Sequence, residues 1–254
     1  MLVSVITVTK NSARSIERTV HSVASQQNVD VEHLIKDANS SDKTVILSQA
    51  ANPKLSILIQ SDLGIYDAMN QGFFHSTGEI IAFLNSDDYY ADSDVLSDVV
   101  DIFKKTDCDF VYGDIRIRSS TGEIVRNWKT GDIGNNGLVG MHPPHPAFFV
   151  KRSVLNAIGL PFDPSYRIAA DIKQQLIVIN QRKHKGVYLN KALVDMENGG
   201  ESTNSLASFY LGLKESVRAH NEVFGSGGFK FAVMKVLSKF KGLKPFAQLK
   251  QFLK

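Results

Sequence analysis

The apolar run Ile80-Ile81-Ala82-Phe83-Leu84 is followed at once by Asn85-Ser86-Asp87-Asp88. A buried strand that ends this way delivers two carboxylates to the C-terminal edge of a sheet, where α/β folds hold their ligands. Adjacent carboxylates repel each other, so the pair is unfavourable there unless a cation or ligand lies between them. A hard divalent ion that also holds phosphate oxygens resolves the conflict, which points to a metal–nucleotide site.

The same pattern recurs through the first half of the chain. Residues 2–8, 33–36, 55–59, 80–84 and 109–112 read as strands. Residues 12–26, 43–50, 65–75 and 92–105 read as helices, the first with Ile16, Val20 and Val23 on one face. Such alternation predicts an α/β fold with a mainly parallel sheet and helices on both faces. Beyond Gly113 the regularity breaks. Residues 115–118 and 123–127, split by Ser-Ser-Thr-Gly, read as a hairpin. The glycine-rich segment 130–146 has the length of a functional loop. A strand at 147–150, helices at 153–158 and 169–180, and strands at 186–189 and 193–196 precede a Gly-Gly turn, and the remainder reads as helical and basic. With no internal repeat and no low-complexity linker, one compact domain with a tail is the simplest parse.

A chain of 254 residues with 43% hydrophobic and 22% charged residues can bury a full core. Cys108 is the single cysteine, which excludes an intrachain disulfide framework and suits a reducing compartment. The N-terminus is apolar but short and lacks the layout of a signal peptide, and no run is long enough to span a bilayer, so the expected location is cytoplasmic. Of the net charge of +3, +7 lies after Glu222 on seven lysines, which leaves −4 for residues 1–222. Such a tail suits nucleic acid or an anionic membrane.

Four post-strand loops carry the polar residues: Val8-Thr9-Lys10-Asn11, Asp37-Ala38-Asn39-Ser40-Ser41-Asp42, Ser61-Asp62-Leu63-Gly64 and Asn85-Ser86-Asp87-Asp88. In an open parallel sheet they share one rim, so Asp37, Asp42, Asp62, Asp87 and Asp88 can converge. Singly, Ser40 and Asp42 read as helix caps, Asp37 as a turn residue and Asp88 as a helix start. Jointly they read as a site, because capping does not need acids at both ends of it. Neither GxGxxG after the first strand nor GxxxxGK[ST] anywhere is present, which argues against a dinucleotide enzyme and a P-loop NTPase.

The segments 5–11, 37–44, 62–72 (Asp-Leu-Gly-Ile-Tyr-Asp-Ala-Met-Asn-Gln-Gly) and 78–88 stand in the order seen in family 2 glycosyltransferases, and the chain resembles that family over residues 1–205. The likeness is to bacterial enzymes that build O-antigen and exopolysaccharide units. It implies a GT-A fold, with 1–115 as the nucleotide-binding half, 116–205 as the acceptor half and 206–254 as basic amphipathic helices. It also implies that Thr9 and Asp37 contact the base of a UDP-sugar. Asp87 and Asp88 then serve the ribose and a Mn²⁺ or Mg²⁺ ion, and Asp62 lines the donor floor with Gly64 and residues 66–70. By the same resemblance Asp114 lies near the sugar, His145 touches the donor diphosphate or the acceptor, and Asn198-Gly199-Gly200-Glu201-Ser202 forms a turn near the active site. Asp171 falls at the family's catalytic base. Inverting transfer needs such a carboxylate to take the acceptor's proton, and a cation for the departing diphosphate. Asn85 stands where the family often has Asp, which leaves the metal to Asp87 and Asp88. His142, three residues before His145, lacks further ligands for a zinc site.

The resemblance implies a hexosyltransferase that moves glucose or galactose from a UDP-sugar onto an undecaprenyl-diphosphate-linked saccharide such as GlcNAc-diphosphoundecaprenol, with a β-linkage. A lipid acceptor favours a membrane-lying tail over one packed on the domain, with the protein peripheral on the inner leaflet and no nucleic acid bound. Deletion after Gly225 is then expected to release it from membranes. Two alternatives stay open: a module for nucleotide-sugar or nucleic acid that has lost catalysis, and a nucleotidyltransferase, for which Lys10 is the one basic residue after the first strand.

Overall fold

The strands β1 (Leu2–Thr9), β2 (Asp30–Asp37), β3 (Ser56–Ile59) and β4 (Ile80–Phe83) are joined by α1 (Ile16–Ala24), α2 (Thr44–Ala51) and α3 (Ile65–His75). They run parallel in spatial order β3-β2-β1-β4. The chain therefore leaves β1 towards β2 and β3, then returns to β1's other side. That reversal opens a crevice between the C-terminal ends of β1 and β4, the place where open α/β sheets bind ligands. The computed structural model describes residues 1–134, 137–198 and 205–238.

β4 is apolar throughout because both its faces are covered. Ile81 and Phe83 join one core with Met69 and Phe73 of α3. Ile80, Ala82 and Leu84 join another with α4 (Val95–Lys105), which contributes Val95, Leu96, Val99 and Phe103. Close approach also fixes α3, since a Cβ on Gly72 would strike the Ile6 side chain of β1.

The second half turns the sheet mixed. β8 (Phe148–Lys151) is antiparallel to both β4 and β6 (Phe110–Arg118), while β9 (Gly186–Glu197) is parallel to β6. β5 (Tyr89–Tyr90) and β7 (Ile124–Trp128) add antiparallel pairs to β9 and β6. The expected sheet with helices on both faces is present, and several expected boundaries are not. Strands read as ending at Tyr112 and Leu189 continue, because the irregular residues form bulges: the β6–β9 register shifts on either side of Asp114. Gly113 permits this by lying against Leu193, where a Cβ would meet Cδ1 at 2.5 Å.

Helix starts also move inward. α1 begins at Ile16 because residues 12–15 form a turn, with the Ser12 N–H on Thr44 Oγ1 at 2.7 Å. α4 begins at Val95 because the Asp94 N–H bonds Asp92 Oδ1 at 3.0 Å. The helix expected over 169–180 is α6 (Ala170–Gln175), which widens into a π-helical stretch, Leu176–Gln181. Its polar residues Gln174 and Gln175 are buried, donating to the Pro161 and Pro143 carbonyls at 3.3 and 3.1 Å. An amide pair in the core broke the apolar periodicity without breaking the helix.

α5 (Arg152–Ile158), α7 (Leu206–Phe224) and α8 (Gly228–Ser238) complete the described elements. α7 and α8 are not appended loosely: Ala219 and Phe231 belong to the same core as Ile6 and Phe83. A truncation meant to free a tail therefore belongs after Ser238 rather than after Gly225, since the latter removes Phe231. Residues 199–204 and 239–254, which include most of the Asn198–Ser202 turn and the lysine-rich end, lie outside the described residues.

Candidate active site

Three stations stand on the rim around the β1/β4 crevice. At the first, Thr9 and Asp37 end β1 and β2 in register. Asp37 is fully buried, and its two oxygens accept the Ser40 N–H at 2.7 Å and the Ser40 hydroxyl at 2.6 Å. Thr9 Oγ1 is buried with no hydrogen-bond partner, a donor left over for a ligand. The loops behind them are laced together. Asn11 and Asn39 take left-handed φ of 53° and 56°, which asparagine tolerates. The Asn11 N–H donates to Ser40 Oγ at 2.8 Å, and Asn11 Oδ1 accepts the Ser41 N–H at 2.9 Å. Asp42 belongs to this lacing, accepting from Ala13 and Thr44.

The second station is the turn after β4. The Asp88 N–H bonds the Asn85 carbonyl at 3.1 Å, and Asn85 Nδ2 donates to Asp88 Oδ2 at 3.1 Å. Asp88 is 1% exposed. Burial pushes its carboxyl well above the usual range, and the neighbouring Asp87 charge adds to this. Asp87 is raised too, by burial and then by Glu197, against the opposing pull of Arg18. Arg18 Nη2 holds Glu197 Oε1 at 2.5 Å, with its guanidinium 4.3 Å from the Tyr89 ring centroid. Ser12 and Ser86 hydroxyls meet at 2.8 Å, and Thr19 Oγ1 donates to the Ser86 and Asp88 carbonyls at 3.0 and 2.7 Å. The post-β1 and post-β4 segments are thus one unit.

Two desolvated carboxylates, the partnerless buried Asn85 Oδ1 and an all-oxygen donor set fit a hard divalent cation. Among the described residues no cluster of three His, Cys, Asp or Glu could cage an ion alone. Glu197 and Arg18 escaped the sequence reading. Glu197 ends β9, far along the chain from Asp88, and nothing in its local pattern marks it.

The third station surrounds Asp171, in the first turn of α6. Tyr66 of α3 donates its hydroxyl to Asp171 Oδ1 at 3.3 Å. Burial and the Asp171 charge together push the Tyr66 hydroxyl well above its usual value, so it remains a donor. His145 begins a 3₁₀ turn (His145–Ala147) and stacks on Phe83 at 5.5 Å between centroids. Phe162 meets Phe83, His145 and Tyr66 at 4.9, 5.3 and 5.6 Å. Burial lowers the His145 pKa, partly offset by the Asp171 charge, and leaves Nε2 buried without a partner. Phe83, two residues before Asn85, therefore couples the second station to the third.

The block 62–70 now has a reason for each polar residue. Gly64 holds φ 134°, a value that side chains resist, at the start of α3. Asp67 Oδ2 accepts the Leu63 N–H at 2.9 Å. Asn70 clamps Phe162, donating to its carbonyl at 2.7 Å and accepting its N–H at 3.0 Å. Asp62 is paired with the fully buried Lys36, and its Oδ1 accepts the Gly64 N–H at 3.1 Å. Asp114 is likewise engaged inside the fold, accepting from the Thr130 N–H at 2.9 Å and the Tyr188 hydroxyl at 2.9 Å. Of the expected site residues, Asp37, Asp62 and Asp114 each already accept bonds from within the fold, while Thr9 Oγ1 and His145 Nε2 are buried without a partner. His142 packs edge-on against Trp128, 5.6 Å away, rather than with His145.

Sequence comparison gives a match to the profile of Glycosyl transferase family 2 over residues 4–158. A PGL/p-HBAD biosynthesis glycosyltransferase of Mycobacterium tuberculosis is 31% identical over 173 residues, covering 66% of this chain and 66% of the relative. An uncharacterized glycosyltransferase of Nostoc sp. is 32% identical over 186 residues, covering 67% of this chain and 57% of its own. The chain thus matches just under two thirds of the mycobacterial relative's length.

Among solved structures, S. aureus TarS 1-349 in complex with UDP-GlcNAc superposes with a TM-score of 0.69 at 18% identity, over 94% of this chain and 73% of that one. The mannosyltransferase PcManGT from Pyrobaculum calidifontis, with GDP-Man and Mn²⁺, gives 0.66 at 17%, over 98% and 78%. These likenesses show the fold, which is GT-A. The protein belongs to glycosyl transferase family 2.

Proposed function

We propose that this protein is an inverting hexosyltransferase. It moves glucose or galactose from a UDP-sugar onto a lipid-linked saccharide such as GlcNAc-diphosphoundecaprenol, with a β-linkage, in O-antigen or exopolysaccharide assembly. The observation that carries this reading is the third station: Asp171, hydrogen-bonded to Tyr66, on the same aromatic wall that continues through Phe83 to the buried Asp87–Asp88 turn. Thr9 and Asp37 receive the uracil base. Asp87 and Asp88 would hold Mn²⁺ or Mg²⁺, which when bound supplies positive charge for the departing diphosphate. Asp171 takes the acceptor hydroxyl's proton as that oxygen attacks the anomeric carbon in line. Tyr66 orients the carboxylate by occupying Oδ1, leaving Oδ2 for the acceptor. His145, kept neutral by burial and with Nε2 unpaired, is assigned to the donor diphosphate or the acceptor.

The choice of a UDP-sugar and a divalent cation is supported by TarS, solved with UDP-GlcNAc, and by glucosyl-3-phosphoglycerate synthase of Mycobacterium tuberculosis, solved with UDP and Mn²⁺. The lipid acceptor is supported by the C-terminal helices. α7 and α8 leave Leu206, Tyr210 and Phe229 exposed by 90%, 71% and 77%, next to a segment whose only charges after Glu222 are lysines. Such a surface suits the anionic inner leaflet. No described helix is long and apolar enough to cross a membrane.

The test is transfer from UDP-glucose and UDP-galactose to a synthetic GlcNAc-diphospholipid with Mn²⁺. Asp171→Asn is expected to lower kcat by about 10²–10⁴-fold, the usual worth of a general base, with UDP affinity unchanged. No turnover with any donor would leave a catalytically inactive binding module as the reading.

A further inference from the structure

Glu215 lies mid-way along α7 and is 7% exposed. Its carboxylate accepts three successive backbone N–H groups: Arg167 on Oε1 at 2.9 Å, and Ile168 and Ala169 on Oε2 at 2.8 and 2.9 Å. These residues lead directly into α6, whose second residue is Asp171. Groups at a helix entry have no partner within the helix, so a buried entry must find acceptors elsewhere. One carboxylate supplies acceptors for residues 167–169, up to the N-cap Ala169, and the bonds in turn stabilise its buried charge.

The same helix grips both flanks of Asp171. Gly212, one turn before Glu215, lies against Ile168, where an added Cβ would come within 3.3 Å of Cγ2. Two turns after Glu215, Glu222 accepts from the Tyr166 hydroxyl at 2.8 Å and from Lys173 Nζ at 2.6 Å. Lys173 also reaches Asp163 at 2.7 Å. Arg218 fixes Glu222 at 2.6 Å and lies 4.2 Å from the Tyr166 ring centroid. α7 lies outside the stretch that matches the family profile, residues 4–158.

We propose that Glu215 is a positioning residue for transfer: it sets the backbone of residues 167–169 and thereby aims Asp171 at the acceptor. This rests on the reading of Asp171 as the base. Glutamine cannot substitute, since its single amide oxygen would serve at most two of the three N–H groups and its NH₂ would face the third.

The test uses the full chain, with kcat normalised to UDP-binding stoichiometry so that loss of folded protein does not count. Glu215→Gln is expected to lower kcat by about 10²-fold, the effect of an ångström-scale misplacement, with donor KM and UDP affinity within about twofold. In an Asp171→Asn background the same substitution should cause no further loss, because the group it aims is already gone. Should Glu215→Gln not fold, Glu215→Asp keeps the charge and both acceptors one methylene shorter, and should bind UDP normally while losing about tenfold in kcat. Normalised kcat at the wild-type level, or an equal loss in the Asp171→Asn background, overturns the proposal. If Asp171→Asn alone keeps wild-type kcat, the base reading falls and the positioning role falls with it.

Discussion

Removing the Asp62 carboxylate isolates a charge that has no other escape from the interior. The Lys36 side chain is 0% exposed and that of Asp62 only 11%. Besides Asp62, the ammonium has the Gln60 carbonyl at 2.7 Å. In Asp62→Asn the ammonium keeps its burial and loses its counter-charge, a change that destabilises proteins by about 3–5 kcal/mol. For 254 residues the unfolding entropy is about 0.53 kcal/mol/K, so the expected fall in Tm is about 6–9 °C.

Lys36→Met should be milder, because Asp62 retains some access to water and its bond from Gly64. Lys36→Met/Asp62→Asn should recover most of the loss, since a buried pair replaced on both sides is often close to neutral. Calorimetry on the three variants measures this, with UDP titration alongside. A Tm drop below about 2 °C for Asp62→Asn, or no recovery in the double variant, refutes the reasoning. Recovery of Tm without recovery of UDP affinity would instead return Asp62 to the donor-binding surface.

Two further outcomes follow from buried titratable groups. Burial holds His33 down at about 3, while its unfolded value is 6.5. The stability it contributes is complete above pH 6.5 and is lost as pH falls towards 3, by about 2 kcal/mol at pH 5. Urea unfolding at pH 7 and pH 5 should show that loss shrinking in His33→Gln, and an unchanged pH dependence would exclude His33 as its source. Asp88→Asn replaces a carboxyl raised by burial, so in metal-free buffer it should increase Tm by about 2 °C per kcal/mol recovered, while abolishing Mn²⁺-dependent transfer. A lower Tm without metal would mean that the turn needs the charge for its own structure.

Local sequence was sufficient where the physics is local. The run 80–84 reads as a buried strand from its own residues, which places the acids behind it at a sheet edge. The alternation of strands and helices in residues 1–112 determined the order of elements, because each segment's periodicity depends on its own residues. Local pattern misled where a residue's environment comes from elsewhere in the chain. Gly113 reads as a break but is a bulge, since the neighbour that makes room for it, Leu193, lies 80 residues on. Gln174 and Gln175 lie in a segment read only as helix, and nothing in it shows that they meet the carbonyls of Pro161 and Pro143 in the core.

The site divides in the same way. The rim residues Thr9, Asp37, Asp87 and Asp88 are legible because each immediately follows or ends a strand. Which partner each acid meets is a tertiary fact: Lys36 reaches Asp62, and Tyr188 reaches Asp114. Only packing brings Asp171 to Tyr66 and sets Glu215 behind it, because these contacts join segments that share no local periodicity. The sequence by itself determined the chemistry on offer and the edge of the sheet that presents it. The tertiary structure decided which partner reaches each carboxylate, because those partners come from segments far apart in the chain.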